Sequence, residues 1–355
     1  MAGGVRPLEQ ADLPAVAALR LSSFRQTRRT SAAALEAYLR RIFFENPWRD
    51  DELPSLVHDD GRGGVVGFVG VIPRRMRFRG AELRAAVSTQ FMVHPGARGH
   101  AGIRLVQRLF AGPQDLTLAD AAPDAARKIW VAFGGDSLPL QSLVWVRALR
   151  PARHAAAGLG DHLVGRASRF ALRPLLAAWD AVHRPARGNA LSGVTEPLQA
   201  ATVAAAHDTV LAESALRPVY EAAAYQWLLD RAGEAAELGP LQGRIVRGAD
   251  GGVAGWFLYY DNPGGVVRVL QLCARTEAAP MVIDHLGYEA WRSGAVALRG
   301  QVMAPLLTAL SAAGCDLQRQ GPWALAQSRR GDIRLALARG DAWLTGLDGE
   351  RWLSF

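Results

Sequence analysis

Cysteine is nearly absent from this chain. Cys273 and Cys315 are the two among 355 residues, too few for a disulfide framework and without the spacing of a metal site. They read as buried, reduced thiols, and no metal is expected. Long hydrophobic runs are missing too: the longest, Val65 to Ile72, is broken by Gly67 and Gly70, far short of the roughly 20 residues that cross a bilayer. Met1 to Gln10 lacks the basic-then-apolar order of a signal peptide, so the chain is expected in the cytoplasm. Lysine is the third scarcity, with Lys128 alone against 40 arginines.

What remains is a composition of 50% apolar and 21% charged residues with a mean hydropathy of +0.03, the balance of a packed globular protein. At about 150 residues per domain the length suggests two domains. The net charge of +8 is unevenly spread: +7 over residues 1–150, +4 over 151–195 and −3 over 196–355. Such asymmetry points to an anionic partner for the first half. No zinc finger, helix-turn-helix or aromatic RNA-binding motif accompanies the charge, which favours a phosphorylated small molecule over a nucleic acid.

Periodicity in the first half predicts a strand at Val5 to Leu8, helices over Ala11 to Phe24 and Ala32 to Phe44, and strands at Ser55 to His58 and Val65 to Ile72 around the turn Asp59 to Gly64. Arg74 to Arg79 closes this hairpin at Gly80, and Glu82 to Val93 resumes a strand. Helices over Gly99 to Ala111 and Pro123 to Phe133 bracket a strand at Leu116 to Ala119, and Leu140 to Leu149 is a last extended segment. Residues 151–195, rich in Ala, Arg, Gly and Pro, read as a helical linker or insertion. The second half follows the same plan: helices near Ala200 to Ala212 and Pro218 to Ala232, strands at Leu241 to Val246, Val253 to Tyr260 and Val266 to Leu272, then helix Pro280 to Ser293, strand Ala295 to Leu298, helix Ala304 to Ala313 and a closing segment from Trp343 to Phe355.

The stretch Phe91-Met92-Val93-His94-Pro95-Gly96-Ala97-Arg98-Gly99-His100-Ala101-Gly102-Ile103 carries the chemistry. A strand ends, an arginine-bearing glycine loop follows and a helix starts, so free N–H groups and the positive helix end converge on one point, a geometry that binds a pyrophosphate. A purely structural turn is the alternative reading of the same residues.

Through Val93, Pro95, Arg98, Gly99 and Gly102 the chain resembles the GCN5-related N-acetyltransferase (GNAT) superfamily, whose acyl-CoA motif follows a strand and opens a helix. Ala101 stands where the middle glycine falls, and Gly102 and Ile103 reverse the last two positions. Ala125 to Gly134 resembles the family's Ala-x-x-x-Tyr-x-x-x-Gly helix, with Trp130 in the tyrosine position. The resemblance implies an α/β (α+β) fold of two tandem domains, each a mixed, mostly antiparallel sheet flanked by helices. The first would be an acyl-CoA domain at 1–150 and the second, at 196–355, would lack a cofactor site of its own. The tandem plan is similar to that of mycothiol synthase and the FemABX-type transferases.

The resemblance further implies that main-chain groups of Phe91, Met92 and Val93 pair with the pantetheine arm of acetyl-CoA, or another acyl-CoA, while amides of Arg98, Gly99, His100, Ala101, Gly102 and Ile103 hold its pyrophosphate. The acceptor would be a small-molecule amine. Direct transfer needs a base for that amine and a proton for the departing thiolate. Candidate bases are His94 and Asp120, with Glu82 less well placed. His94 also reads as a polar turn residue, and Asp120 as a cap for the helix at Pro123. An indole is no acid at neutral pH, so with Trp130 either another group donates, or none is needed, or the first half only binds.

In the second half, Arg275 and Thr276 lie where an anion would meet the helix but lack a glycine loop. His285 and Glu289 share a helix face, and Tyr259-Tyr260-Asp261 is a candidate acceptor wall. Two other classes stay open: a non-catalytic acyl-CoA-binding or scaffold protein, and a protein in peripheral contact with a membrane. The latter would act through Arg166, Arg169, Arg173, Arg184 and Arg187 beside Leu163, Phe170, Leu176 and Trp179. A helix packed between domains, broken at Pro174, is the competing reading of that stretch.

Overall fold

The computed structural model describes residues 3–23, 31–157, 179 and 191–353. The basic stretch within 158–190, except Trp179, therefore lies outside the described residues. In chain order the first half contains β1 (Val5–Pro7), α1 (Leu13–Ser23), α2 (Ala32–Phe43), β2 (Leu56–Asp59), β3 (Val65–Phe78), β4 (Ala81–Val93) and α3 (His100–Phe110). These are followed by β5 (Leu116–Ala122), α4 (Asp124–Ala132), β6 (Asp136–Ser137), β7 (Val144–Ala148) and α5 (Pro151–Ala157). In α2 the Ser31 side chain accepts from the Ala34 amide as an N-cap, and Leu35, Leu39 and Ile42 make the buried stripe their spacing predicts.

The second half contains β8 (Val194–Pro197), α6 (Ala200–Val210), β9 (Leu216–Pro218), α7 (Ala222–Gly233), β10 (Leu241–Arg247), β11 (Val253–Tyr260), β12 (Val266–Ala274) and α8 (Ala279–Arg292). It continues with β13 (Ala297–Gln301), α9 (Leu307–Ala312), β14 (Asp316–Gln318), β15 (Trp323–Gln327) and α10 (Gly331–Arg339).

Two sheets result. One has the order β1-β2-β3-β4-β5-β15-β6 with β9 pairing β3, and the other β14-β7-β13-β12-β11-β10-β8. Both are mixed and mostly antiparallel, with helices packed on them, as expected. Two strands are exchanged across residue 150. β7, from the first half, lies between β13 and β14, while β15, from the second, lies between β5 and β6. Val144, Trp145 and Val146 of β7 are buried, and one apolar core joins Leu39 and Phe68 to Trp256 and Leu286. Trp145 also donates from Nε1 to the Gln301 carbonyl at 3.0 Å, so the second sheet is incomplete without a piece of the first half.

A common unit recurs in the halves: β3–β4–α3–β5 and β11–β12–α8–β13. Each opens with an antiparallel pair carrying a bulge, which lies in β4 between Thr89 and Met92 and in β12 at Leu270. Each ends in a short parallel pairing, Ala85–Val87 with Leu116–Leu118 and Val266–Arg268 with Ala297–Arg299. Beyond these residues the strands part, leaving a V-shaped opening in each sheet.

Candidate active site

The V between β4 and β5 exposes one strand edge. His94 donates its amide to the Val66 carbonyl, and antiparallel alternation then turns the main chain of Met92 toward β3, where it faces Phe68. Phe91 and Val93 are left facing the open edge, available for an added strand. Met92 itself is a core residue. Gln90 takes a positive φ of 50° at the bulge, an αL conformation uncommon for a residue with a side chain.

At the end of β4 the loop turns into α3 through Gly99, whose φ of +91° suits glycine and whose Cβ position faces open space. No side chain caps the helix, so its first amides point outward. Ile103 is an exception to the expected set, since its amide closes the first helical turn on the Gly99 carbonyl at 3.1 Å. Gly102 is buried and serves close packing, because a Cβ there would stand 3.3 Å from Phe91 and 3.5 Å from Val93. Arg98 and His100 are exposed. The ring of His58, 7% exposed and with no hydrogen-bond partner on either nitrogen among the described residues, lies 6.1 Å from that of His100.

A cleft of about 250 Å³ fills the V, lined by Thr89, Gln90 and Phe91 on one side and Ala122, Ala126 and Trp130 on the other. Trp130 packs edge-on against Phe110 at 4.9 Å and forms the cleft wall. Glu350 and Leu353 close the cleft from the far end of the sequence. Glu350 accepts from the Thr89 hydroxyl at 2.5 Å. Burial, and then the neighbouring charge of Asp120, push its carboxyl up to about 7.

Asp120 stands beneath this group rather than in the cleft lining. Its Oδ1 accepts from the Glu350 amide at 2.7 Å, and Arg351 reaches its Oδ2 at 3.3 Å and donates to its carbonyl at 2.9 Å. Burial raises Asp120 above the usual carboxylate range against the pull of Arg351. It does not cap α4. Gly349 is required for this approach, as a Cβ there would fall 2.1 Å from the Asp120 carboxyl carbon. His94 lies outside the cleft: it is exposed, and its Nδ1 accepts from the Gly96 amide at 3.2 Å, holding the turn.

The segment bearing Glu350 is anchored on both sides. Asp348 accepts from the Tyr220 hydroxyl at 2.6 Å, the Thr345 amide at 2.8 Å and the Thr345 hydroxyl at 2.6 Å. Arg74 donates to the Leu347 carbonyl at 3.0 Å, and buried Trp352 donates to the Gly349 carbonyl at 2.7 Å while packing on Trp227. Sequence reasoning missed Glu350. The signal available was an acid followed by arginine and tryptophan in Gly349-Glu350-Arg351-Trp352, which no motif singles out.

The raised carboxyl fixes a pH dependence. Glu350 binds its proton more tightly in the folded protein than at the ordinary glutamate value of 4.5, so its contribution to stability is full below that value and is lost as pH rises through about 7. Thermal unfolding should therefore show a higher midpoint at pH 5 than at pH 8, and Glu350→Gln should reduce that difference.

The candidate sites of the second half are dispersed. Arg275 pairs with Glu277 at 3.3 Å, and the Thr276 hydroxyl donates to Glu213. His285 meets the Ser192 carbonyl, whereas Glu289 pairs with Arg244 and Arg292. Tyr259 and Tyr260 are core residues, and burial pushes the Tyr259 hydroxyl up to about 12. Both cysteines are free and buried, with Cys315 pushed up to about 11, so neither is a ready nucleophile. Among the described residues no three His, Cys, Asp or Glu side chains gather as a metal site, and no helix is long and apolar enough to cross a membrane.

Residues 4–112, which span the meander, the bulged strand and the loop into α3, match the acetyltransferase (GNAT) domain family. The chain carries a GNAT domain. Solved structures extend the likeness of fold over nearly the whole length. A protein of Enterococcus faecalis V583 described as a probable N-acyltransferase aligns with a TM-score of 0.59 at 13% identity, covering 92% of this chain and 73% of its own. A GCN5-related N-acetyltransferase of Anabaena variabilis ATCC 29413 aligns at 0.57 and 13%, covering 91% and 72%. The N-myristoyltransferase of Saccharomyces cerevisiae, solved with myristoyl-CoA and inhibitors, aligns at 0.51 and 11%, covering 92% and 79%. The sequence matches no curated protein.

Proposed function

We propose that this GNAT protein is an acyl-CoA-dependent N-acyltransferase, with acetyl-CoA as donor and a small-molecule amine as acceptor. Glu350 is its general base. The observation that carries this reading is a carboxyl tuned to about 7, hydrogen-bonded at the bulge of β4 and lining the same cleft as the free strand edge. A base near neutral pH is half available and still strong enough to take an ammonium proton.

Phe91 and Val93 fit a pantetheine arm as main-chain partners, and the uncapped start of α3 fits its pyrophosphate. The donor supplies an acyl thioester. Glu350 removes one proton from the acceptor ammonium, the neutral nitrogen bonds to the acyl carbon, the carbon–sulfur bond breaks, and the second nitrogen proton is released to water. The thiolate, with a pKa near that of a free thiol at about 8.5, leaves and takes a proton from water, so Trp130 need not donate one. The second half holds no donor in this reading, and its loop residues Arg275 and Thr276 are already engaged with Glu277 and Glu213.

Turnover of acetyl-CoA with a panel of amines tests the activity, and calorimetry tests the site. One acetyl-CoA should bind per chain. Gly99→Val, which puts a β-branched residue at a positive φ, should weaken binding about tenfold or more by displacing the anion-binding turn. Two equivalent sites, or full affinity in this variant, would place the donor elsewhere.

A further inference from the structure

The second V, between β12 and β13, holds a cavity of about 370 Å³, within the range of about 300–1,000 Å³ typical of small-molecule sites. It adjoins the cleft described above, because Ala121, Glu350 and Leu353 line both. Arg268 and Arg299 also line it. They are register partners at the last pairing before the strands part, so their side chains leave the sheet on the same face.

Two like charges directly opposite each other destabilise a sheet, and among the described residues no acid forms an ion pair with either; Glu237 acts on Arg268 only as a weaker, more distant charge. Arg268 makes no hydrogen bond or ion pair among the described residues, while Arg299 has one long contact, from Nη2 to the Gln320 carbonyl at 3.5 Å. Arg351, the third arginine of the cavity, is committed to Asp120. Arg268 keeps an exposed side chain, yet desolvation by the surrounding residues first, and then the charge of Arg351, lower its pKa; Tyr260 opposes this, Arg299 adds to it and Glu237 opposes it least.

We infer that this cavity receives the acceptor through an anionic group, a carboxylate or a phosphate gripped by Arg268 and Arg299, with the amine turned toward Glu350. The inference rests on the acyl-transfer reading for the role of Glu350, but the anion site stands on the arginine pair. Guanidinium forks match carboxylate and phosphate oxygens two at a time. A bound anion would remove the repulsion between the paired strands. The acceptor would then enter from the second sheet and the donor from the first, meeting at the segment that both cavities share.

The test has two arms. Inorganic phosphate is titrated calorimetrically into protein saturated with CoA, which keeps the α3 loop filled. Phosphate should bind, and Arg268→Gln with Arg299→Gln should weaken it about tenfold or more, the scale of a lost charge-assisted contact, with acetyl-CoA affinity unchanged. Equal phosphate affinity in wild type and variant would overturn the anion site. In the second arm glycine is compared with glycinamide, and phosphoethanolamine with ethanolamine, as acceptors of acetyl-CoA. The anionic member of a pair should be preferred, and Arg268→Gln should raise its KM while leaving the neutral member unaffected. Preference for the neutral members would overturn the acceptor assignment. If acetyl-CoA itself fails to bind, the acyl-transfer reading falls, and phosphate titration of the free protein still decides the anion site.

Discussion

Replacing Glu350 by Gln should lower kcat by about 10²–10⁴-fold, the usual contribution of a positioned general base, with acetyl-CoA affinity little changed. Glutamine keeps the shape and can still accept from the Thr89 hydroxyl, so the loss isolates the proton acceptor. The wild-type rate should fall as pH drops below about 7, because a protonated Glu350 cannot take the ammonium proton. That acidic limb should vanish in Glu350→Gln. Asp120→Asn sharpens the assignment, since the Asp120 charge helps to raise Glu350, and its removal should move the limb to lower pH. A limb that disappears in Asp120→Asn and survives in Glu350→Gln would make Asp120 the base. A limb that responds only to His94 would return the role to the exposed turn, against the geometry of the cleft.

The largest loss of stability among single changes near the site should come from Trp352→Ala. Trp352 is fully buried, donates to Gly349 and packs on Trp227 at 5.8 Å. Truncating a buried tryptophan costs about 3–5 kcal/mol through lost contacts and the cavity left behind. The segment it anchors presents Glu350, so activity should fall further than the unfolded fraction explains, with the acidic limb displaced from 7. Trp352→Phe, which restores most of the packing but not the hydrogen bond to Gly349, should recover much of both. Chemical denaturation and the pH–rate profile of the two variants check this. An alanine variant with unchanged unfolding and unchanged kinetics would mean that Asp348 and Arg74 hold the segment without it.

Both expectations rest on residues far apart in sequence from the glycine loop, and that separation marks the limit of legibility. Local order was readable because it is written in local chemistry. The stripe Leu35, Leu39 and Ile42, the turn at Asp59 to Gly64, the strand into His94-Pro95 and the glycine at the head of α3 each follow from a short-range period or backbone preference, and together they carry the family resemblance. The part of the loop that touches its own helix was less well read. Ile103 closes a hydrogen-bonded turn and Gly102 permits close packing, roles that depend on where α3 rests against β4.

The strand exchange and the base were decided by tertiary structure alone. A run such as Val144 to Ala148 encodes a propensity to be extended and buried, but propensity does not name the edge it will join, and β7 completes the sheet of the other half. Asp120 and Glu350 are 230 residues apart, and neither carboxyl has an unusual neighbour in the sequence. Their proton affinities come from desolvation and from neighbouring charges, Asp120 acting on Glu350 and Arg351 and Asp348 on Asp120, which exist only once the chain from Thr345 to Trp352 is laid into the opening of the first sheet. By itself the sequence determined a strand, a glycine loop and a helix within the stretch that matches the GNAT domain family. The chemistry within reach of that strand was decided by burial and by the charges that folding brings to it.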